Sequence, residues 1–287
     1  MVYLMEIDKQ EKGQGRYRFD CNDSSSKDYF FKNGFFVLKS AFPPELIKKI
    51  YVDLSSAYIK IKKVAEVEKK PLPFVGIIQR TKEILEESNL VKQLYTSENL
   101  LNCLEDFLGP DLAKINANGL FINDPDDNSP VTNKAYHQDI WTGASAEDII
   151  VWIPFHNVES ESTVSVVPGS HYYGILPNRN REILPLPDFS MPDALPIVNI
   201  EPGDALLFHA MLVHKTAGRG SQIRYAMHFN MRNSNAPLTK QQQAFGYIGI
   251  RQGVMTKIRA VLGNDHFTPL RIYGGKPSNF DRYVEGQ

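Results

Sequence analysis

The stretch PGDALLFHAMLVHKTAGRGSQIRYAMHF, residues 202–229, decides the fold class of this chain. It contains two apolar runs of strand length, separated by a polar loop with two glycines. This texture predicts two β-strands, 204–214 and 222–231, that pair as a hairpin. We expect the connecting loop to be symmetric about Arg219.

Short apolar runs of the same kind continue on the N-terminal side of this stretch. They predict further strands at 119–122, 148–158, 163–167 and 197–200. Six short strands with turn residues between them are typical of a β-sandwich or barrel rather than of a parallel sheet. The central part of the chain is therefore predicted to be a β-core.

The regions on either side of this core have helical periodicity. Apolar residues recur at helical spacing after Pro43-Pro44, and the pattern extends over 40–108, while a second helical segment is expected at 250–262. The chain shows no repeat and no linker, so we predict one mainly β domain with flanking helices. Its expected parts are an N-terminal arm (1–28), a helical support (40–108), the β-core (110–235) and a helical cover (236–287).

Composition excludes several functional classes. The chain has 287 residues, 42% hydrophobic and 23% charged, with a net charge of -1. Such values are ordinary for a globular protein and give no basis for binding nucleic acid or an acidic membrane surface. Two cysteines are too few for a disulfide framework or a zinc site. With no signal peptide evident at the N-terminus, we expect a cytoplasmic protein that acts on a small molecule; its oligomeric state stays open.

The motif His137-Gln138-Asp139 carries the first chemical signal. Residues i and i+2 of a strand point to the same face, so one imidazole and one carboxylate converge on a single point. With a second histidine from a later strand, they form a facial triad that suits non-haem Fe(II) and leaves positions open for a chelating cosubstrate and O2. His214, in the predicted hairpin, is the candidate third ligand.

The predicted hairpin also places an arginine near this metal. If the loop is symmetric, His214 and Arg224 are directly opposed, with Cβ atoms roughly 5 Å apart. The guanidinium then reaches past the metal by about the length of a five-carbon diacid. This is the geometry that 2-oxoglutarate requires, with its keto-acid end on iron and its distal carboxylate on arginine.

Of the remaining histidines of the β-core, we expect His156, His171 and His209 to have structural roles. Strict alternation turns His209 to the face opposite His214, unless a bulge intervenes. His171 follows a turn, and His156 lies on a predicted strand. His228 faces inward on the strand of Arg224 and is a candidate for a supporting or substrate-binding group.

In their order and spacing, these motifs resemble the phytanoyl-CoA dioxygenase family over roughly residues 110–235. The set comprises His137-Gln138-Asp139, Trp152, Pro168-Gly169-Ser170-His171, Gly203-Asp204, Phe208-His209, His214 and Arg224. The resemblance implies a double-stranded β-helix (a jelly roll, or cupin-like barrel) and an oxidation that consumes 2-oxoglutarate and O2 on Fe(II). It implies that His137, Asp139 and His214 bind iron, that Arg224 binds the cosubstrate and that Trp152 lines the cosubstrate pocket, although plain core packing also explains Trp152.

Two features refine the resemblance. A lysine that often helps to hold the cosubstrate in the family has no counterpart in Asn123-Asp-Pro-Asp-Asp127, so a second anchor is missing or supplied elsewhere. Asp139 occupies the position that is a small residue in halogenating relatives, which favours hydroxylation over halogenation. We expect the substrate to be a small polar metabolite or a natural-product intermediate. Two alternatives remain: a cupin-like metal enzyme without 2-oxoglutarate, using His209 or His228 as a further ligand, and a non-catalytic jelly-roll binding protein.

Overall fold

A computed structural model of the chain describes residues 17–67, 72–126, 134–186, 190–216 and 220–262. The helices are α1 (Ser25–Asn33), α2 (Pro44–Val67), α3 (Phe74–Glu87), α4 (Leu90–Tyr95), α5 (Glu98–Leu108), α6 (Lys240–Phe245) and α7 (Val254–Leu262). The strands are β1 (Arg18–Phe19), β2 (Phe35–Leu38), β3 (Leu112–Asn123), β4 (Lys134–His137), β5 (Ile149–Pro154), β6 (Val164–Val166), β7 (Asn178–Arg179), β8 (Glu182–Ile183), β9 (Leu195–Pro196), β10 (Ala205–His209), β11 (His214–Thr216), β12 (Arg224–Asn233) and β13 (Tyr247–Arg251).

These strands form two main sheets and a small hairpin. The larger sheet has the order β1-β2-β10-β5-β12-β3-β13, and the smaller has the order β4-β11-β6-β9. All pairs are antiparallel except β1 with β2. The described strands thus form mixed and antiparallel sheets that do not close into a barrel, and β7 and β8 pair only with each other.

Alternation along β2 shows how the larger sheet is buried on both faces. Phe35 and Val37 belong to an apolar cluster that also contains Val164 and Val166 of the smaller sheet. Phe36, between them, belongs to a second cluster, shared with the helices. A strand buried on both faces reads as a continuous apolar run, as the sequence of β2 does.

The helices of the first half cover the outer face of the larger sheet. α2 begins with a proline, which is favoured at the first helical position. Its buried residues Ile47, Ile50, Leu54 and Tyr58 repeat at three to four residues and join the cluster on that face. The region predicted to be helical, 40–108, is therefore mostly α2 to α5, with residues 68–71 outside the described part. No helix among the described residues has the length and hydropathy to cross a membrane.

Part of the predicted N-terminal arm lies within the fold. Residues 1–16 are outside the description, but Tyr17 and Phe19 are buried, and β1 pairs with β2. Arg18 forms an ion pair with Asp204 at 2.6 Å. The aromatic side chains of this polar segment supply the apolar surface that draws it into the core.

The predicted hairpin between 204–214 and 222–231 is wrong. β10 ends at His209, and the chain then crosses to the smaller sheet, where β11 begins at His214. β10 pairs with β2 and β5, and β11 pairs with β4 and β6. Arg224 consequently lies opposite Asn123 of β3 and not opposite His214. The centre of the supposed loop, residues 217–219, lies outside the described residues.

Candidate metal centre and adjoining cavities

Three predicted ligands come together between the sheets. His137 ends β4, Asp139 begins a short 3-10 helix (Asp139–Thr142), and His214 begins β11 directly opposite His137. One ligand atom from each residue lies within 4.8 Å of the others. The Nε2 atoms of both histidines are 3.8 Å from Oδ1 of Asp139. The convergence was predicted from strand alternation, but Asp139 reaches the site from a turn, because the strand ends at His137.

The hydrogen bonds of the two imidazoles leave the same nitrogen free on each ring. Nδ1 of His137 donates to the carbonyl oxygen of Ala135 at 2.9 Å, and Nδ1 of His214 donates to that of Leu212 at 3.0 Å. These bonds select the tautomer whose Nε2 carries a lone pair toward the other ligands. Phe208 packs against the His214 ring at a centroid distance of 4.8 Å and fixes its plane.

The ionisation states also fit a divalent cation. Burial, with the neighbouring His214, lowers the pKa of His137 to about 3, and burial lowers the pKa of His214, so both imidazoles are neutral at pH 7. Burial opposes ionisation of Asp139, but the surrounding histidines and Lys134 keep its pKa below the ordinary value. Nε2 of His137 and Oδ2 of Asp139 are buried with no hydrogen-bond partner among the described groups. A cation held by these atoms removes the cost of leaving them unpaired.

Gln138 lies between two ligands and points away from them. Its Nε2 donates to the carbonyl oxygens of Gly174 at 2.8 Å and Met211 at 2.7 Å, while its Oε1 accepts from the Leu176 N–H at 2.9 Å. The Met211 bond ties the segment of the first two ligands to the crossing that leads into His214. Gln138 is therefore a positioning residue that the sequence analysis did not single out.

One cavity beside the metal centre is cationic. It has a volume of about 300 Å³, and its lining includes Lys82, Lys134, Thr216 and Arg224. Arg224 is 3% exposed and donates from Nη1 to the carbonyl oxygen of Ser162, but no described carboxylate pairs with it and its Nε has no partner. Burial lowers the pKa of Arg224 to about 10, so it is still charged at pH 7. A buried cation without an anion indicates that this cavity, the cationic cavity, receives one.

Lys134 is a further cation at this cavity, in addition to Arg224 and Lys82. Three residues of β11, His214 to Thr216, lie opposite four of β4, Lys134 to His137, because the pairing is irregular. The irregularity turns Lys134, three residues before a ligand, into the cavity that Thr216 also lines. Its ammonium lies 4.6 Å from the centroid of the Phe121 ring. Strict alternation predicts that Lys134 and His137 point to opposite faces of β4, so the sequence did not indicate Lys134. Thr216 could have been predicted, because it lies two residues after His214 and therefore on the same face.

A second cavity, termed the neutral cavity, is lined by Asp139 itself. It has a volume of about 220 Å³. Asp139 is its only charged lining residue within the described part of the chain. Polar side chains that line it are Asn118, Thr142, His228, Asn230, Gln241 and Gln242.

His156, His171 and His209 have structural hydrogen bonds, as predicted, although the reason for His209 differs from the one expected. Nδ1 of His209 accepts the Met211 N–H at 3.1 Å, so His209 shapes the crossing between the sheets; its structural role rests on this turn and not on strand parity. His171 hydrogen-bonds to the carbonyl oxygen of Phe31, and His156 bonds to Asn157 and Tyr225. None of these three belongs to the described cluster that can hold a metal.

Trp152 is buried in the cluster between the sheets, opposite His228 in the β5–β12 pairing. It is not among the residues that line the cationic cavity. Its role at the cosubstrate thus stays a prediction, and core packing accounts for its position.

Comparison with known proteins adds a family and a fold. The family model described as "Phytanoyl-CoA dioxygenase (PhyH)" matches residues 30–226. Among solved structures, the non-heme monooxygenase ThoJ, in its apo form, is similar with a TM-score of 0.56 and 16% identity, over 79% of this chain and 83% of that one. The epimerase SnoN in complex with Fe3+, alpha ketoglutarate and nogalamycin RO is similar with a TM-score of 0.52 and 14% identity, over 74% and 83%. A search of curated proteins found no match.

Proposed function

Because this chain belongs to the phytanoyl-CoA dioxygenase family, we propose that it is an Fe(II)- and 2-oxoglutarate-dependent dioxygenase. It would hydroxylate an unactivated C–H bond of a small polar metabolite or natural-product intermediate, with release of succinate and CO2. The family match covers most of the chain and confirms the resemblance seen in the sequence, including iron and 2-oxoglutarate as cofactor and cosubstrate. Hydroxylation and the substrate class are the proposed steps beyond the family.

One observation carries the proposal: a buried His-Asp-His triad adjoins a cavity with an unpaired arginine. The triad occupies one face of a metal and leaves the other positions open. Arg224 and Lys134 then suit the distal carboxylate of a short diacid whose keto-acid end is at the metal. The two sheets around this site, antiparallel apart from the β1–β2 pair, support the double-stranded β-helix expected for the family.

Each residue has a distinct task in this proposal. His137, Asp139 and His214 would hold Fe(II), which supplies the activation of O2 that C–H oxidation requires. The bonds of the histidines to backbone carbonyls keep both rings oriented. Arg224 would orient the cosubstrate through its distal carboxylate.

An anaerobic titration tests the proposal directly. Purified protein is loaded with Fe(II), and 2-oxoglutarate is added while the visible spectrum is followed. A facial-triad iron chelated by a keto acid should give a weak charge-transfer band at roughly 500 nm. We expect this band in the wild type and its loss in His214→Ala. Iron binding without a band would favour a cupin-like enzyme that does not use 2-oxoglutarate, and no iron binding would refute the metal centre.

A further inference from the structure

His228 differs from the other described histidines. The rings of His137, His156, His171, His209 and His214 each hydrogen-bond to a backbone group. No described group hydrogen-bonds to the ring of His228, although the residue is half-buried and lines the neutral cavity. A polar ring placed in this way is available to a ligand in the cavity.

The backbone around His228 is shaped to admit its ring. Gly119 lies directly opposite on β3, and a Cβ atom built there would lie 2.5 Å from the imidazole. The ring stands edge-to-face against Phe121 at a centroid distance of 4.9 Å. Only a glycine at 119 leaves room for this placement, so the position of the His228 ring depends on a residue that is far from it in the sequence.

The chemistry of the cavity indicates what it receives. Apart from the metal ligand Asp139, no described lining residue carries a charge at pH 7, since burial lowers the pKa of His228 to about 4. A carboxylate or phosphate would find no cation there, in contrast to the cationic cavity. An ammonium would find no carboxylate other than the one committed to the metal. The neutral polar side chains of the lining, among them Thr142, Asn230 and Gln241, offer hydrogen-bond donors and acceptors to uncharged polar groups.

From this arrangement, and on the basis of the proposed function, we infer that the neutral cavity binds an uncharged, hydroxyl- or amide-bearing portion of the substrate, and that His228 orients this portion beside the metal. The volume of about 220 Å³ is below the roughly 300–1,000 Å³ of pockets that enclose a whole drug-sized ligand. The cavity therefore receives the reacting portion of the substrate, and the remainder extends outside it.

Matched pairs of probes test the charge preference. The pairs are methyl glucopyranoside with methyl glucuronopyranoside, and N-acetylglucosamine with glucosamine; within each pair the second member carries a charge. Binding to the anaerobic Fe(II)–2-oxoglutarate protein is followed by calorimetry and by perturbation of the visible band. We expect each neutral probe to bind at least about tenfold more tightly than its charged partner. The charged probe loses this affinity because its charge is desolvated in the cavity without a partner of opposite charge. Equal or tighter binding of the charged members, or no binding of either neutral probe, overturns the inference.

Three variants test the role of His228. His228→Leu and Gly119→Ala should each weaken binding of the neutral probes about tenfold, the first by removing the ring's nitrogens and the second by displacing the ring. His228→Gln keeps a donor and an acceptor and should stay within about threefold of wild type. Iron and 2-oxoglutarate should titrate as in wild type in all three. An equal loss of 2-oxoglutarate affinity would place His228 on the cosubstrate side and overturn the inference, while absence of the band in wild type would overturn the proposed function itself.

Discussion

Arg224 makes the most specific prediction at the scale of single residues. Its guanidinium is buried, and among the described residues it has a backbone carbonyl and no carboxylate as partner. Arg224→Ala should raise the Kd for 2-oxoglutarate by about 10- to 100-fold, the value of a charge-assisted hydrogen bond. The Kd of Arg224→Lys should lie between those of wild type and Arg224→Ala, because an ammonium keeps the charge but does not reproduce the bidentate fork. Titration of the visible band and calorimetry measure the Kd of both variants.

Pyruvate is the matched control for Arg224. It has the keto-acid end of 2-oxoglutarate but no distal carboxylate, so its binding to the iron-loaded protein should be nearly the same in wild type and Arg224→Ala. A similar loss of affinity for both ligands would show that the arginine acts through the structure of the site and not on the distal carboxylate.

Gln138 should affect the metal without touching it. Both polar atoms of its side chain are bonded, and Gln138→Leu leaves the carbonyls of Gly174 and Met211 and the N–H of Leu176 without this partner. We expect Fe(II) affinity to fall about 10- to 100-fold, as when other residues that orient metal ligands are removed. Competition with a chelator of known affinity measures the change. An unchanged affinity alongside a lower melting temperature would limit Gln138 to a structural role.

The sequence was most informative where the chemistry depends on short spacing. His137 and Asp139 lie two residues apart, and any extended or turn backbone between them keeps both side chains near one point. Lys134 could not be found in the same way, because the irregular pairing between β4 and β11 changes which side chains share a face. Alternation from a single strand contains no information about a bulge that its partner strand imposes.

At the scale of elements, the crossing from β10 to β11 explains the wrong hairpin. Residues 204–214 look like one strand, since their apolar character continues through Leu212 and Val213. These two residues are buried, but Leu212 closes a turn through the bond from its N–H to the carbonyl oxygen of His209, and Val213 follows this turn. Apolar residues in a buried crossing give the same sequence pattern as a buried strand. Which strands pair is decided by contacts between residues that are distant in sequence.

His209 links this crossing to pH. Its Nδ1 accepts the Met211 N–H and must be unprotonated there, and burial lowers its pKa to about 4 from an ordinary value of 6.5. Between these values the unfolded chain binds more protons than the folded one, so the free energy of unfolding falls as pH falls from 6.5 toward 4. His209→Asn keeps an acceptor at the same place without the titration. It should reduce the slope of stability against pH by up to roughly 1.4 kcal/mol per pH unit.

Urea denaturation of the metal-free protein at several pH values between 4 and 7.5 measures this slope. Wild type and His209→Asn should have similar stability at the upper end of the range, because the histidine is neutral there in both states. A slope that is the same for the two proteins would contradict the role assigned to His209.

At the scale of the whole molecule, the layers were predictable and their connections were not. A helical first half, a β-rich centre and a later helix follow from periodicity, and they appear as α2 to α5, the two sheets and α7. The predicted helical cover after residue 235 also contains β13, which extends the larger sheet. Residues 263–287 lie outside the described part. Register and strand order depend on pairings across the whole chain, which no local pattern encodes.

Arg232 joins these layers, and its removal tests how the C-terminal part is held. It is 1% exposed, lies 3.5 Å from the buried Asp148, and donates to Gln242 of α6 at 2.6 Å. Gln242 in turn donates to Asp148, so strand β12, helix α6 and the turn before β5 share one polar network. Arg232→Leu leaves Asp148 buried without its cation and should lower the free energy of unfolding by about 3–5 kcal/mol.

A second substitution separates lost charge pairing from lost packing. Adding Asp148→Asn to Arg232→Leu removes the unpaired charge and should recover part of the stability in urea denaturation. Gln242 also lines the neutral cavity, so Arg232→Leu should weaken the binding of uncharged probes while the Fe(II)–2-oxoglutarate band persists. A loss below about 1 kcal/mol, the range of an exposed ion pair, would mean that apolar packing and not this network holds α6 over the cavity.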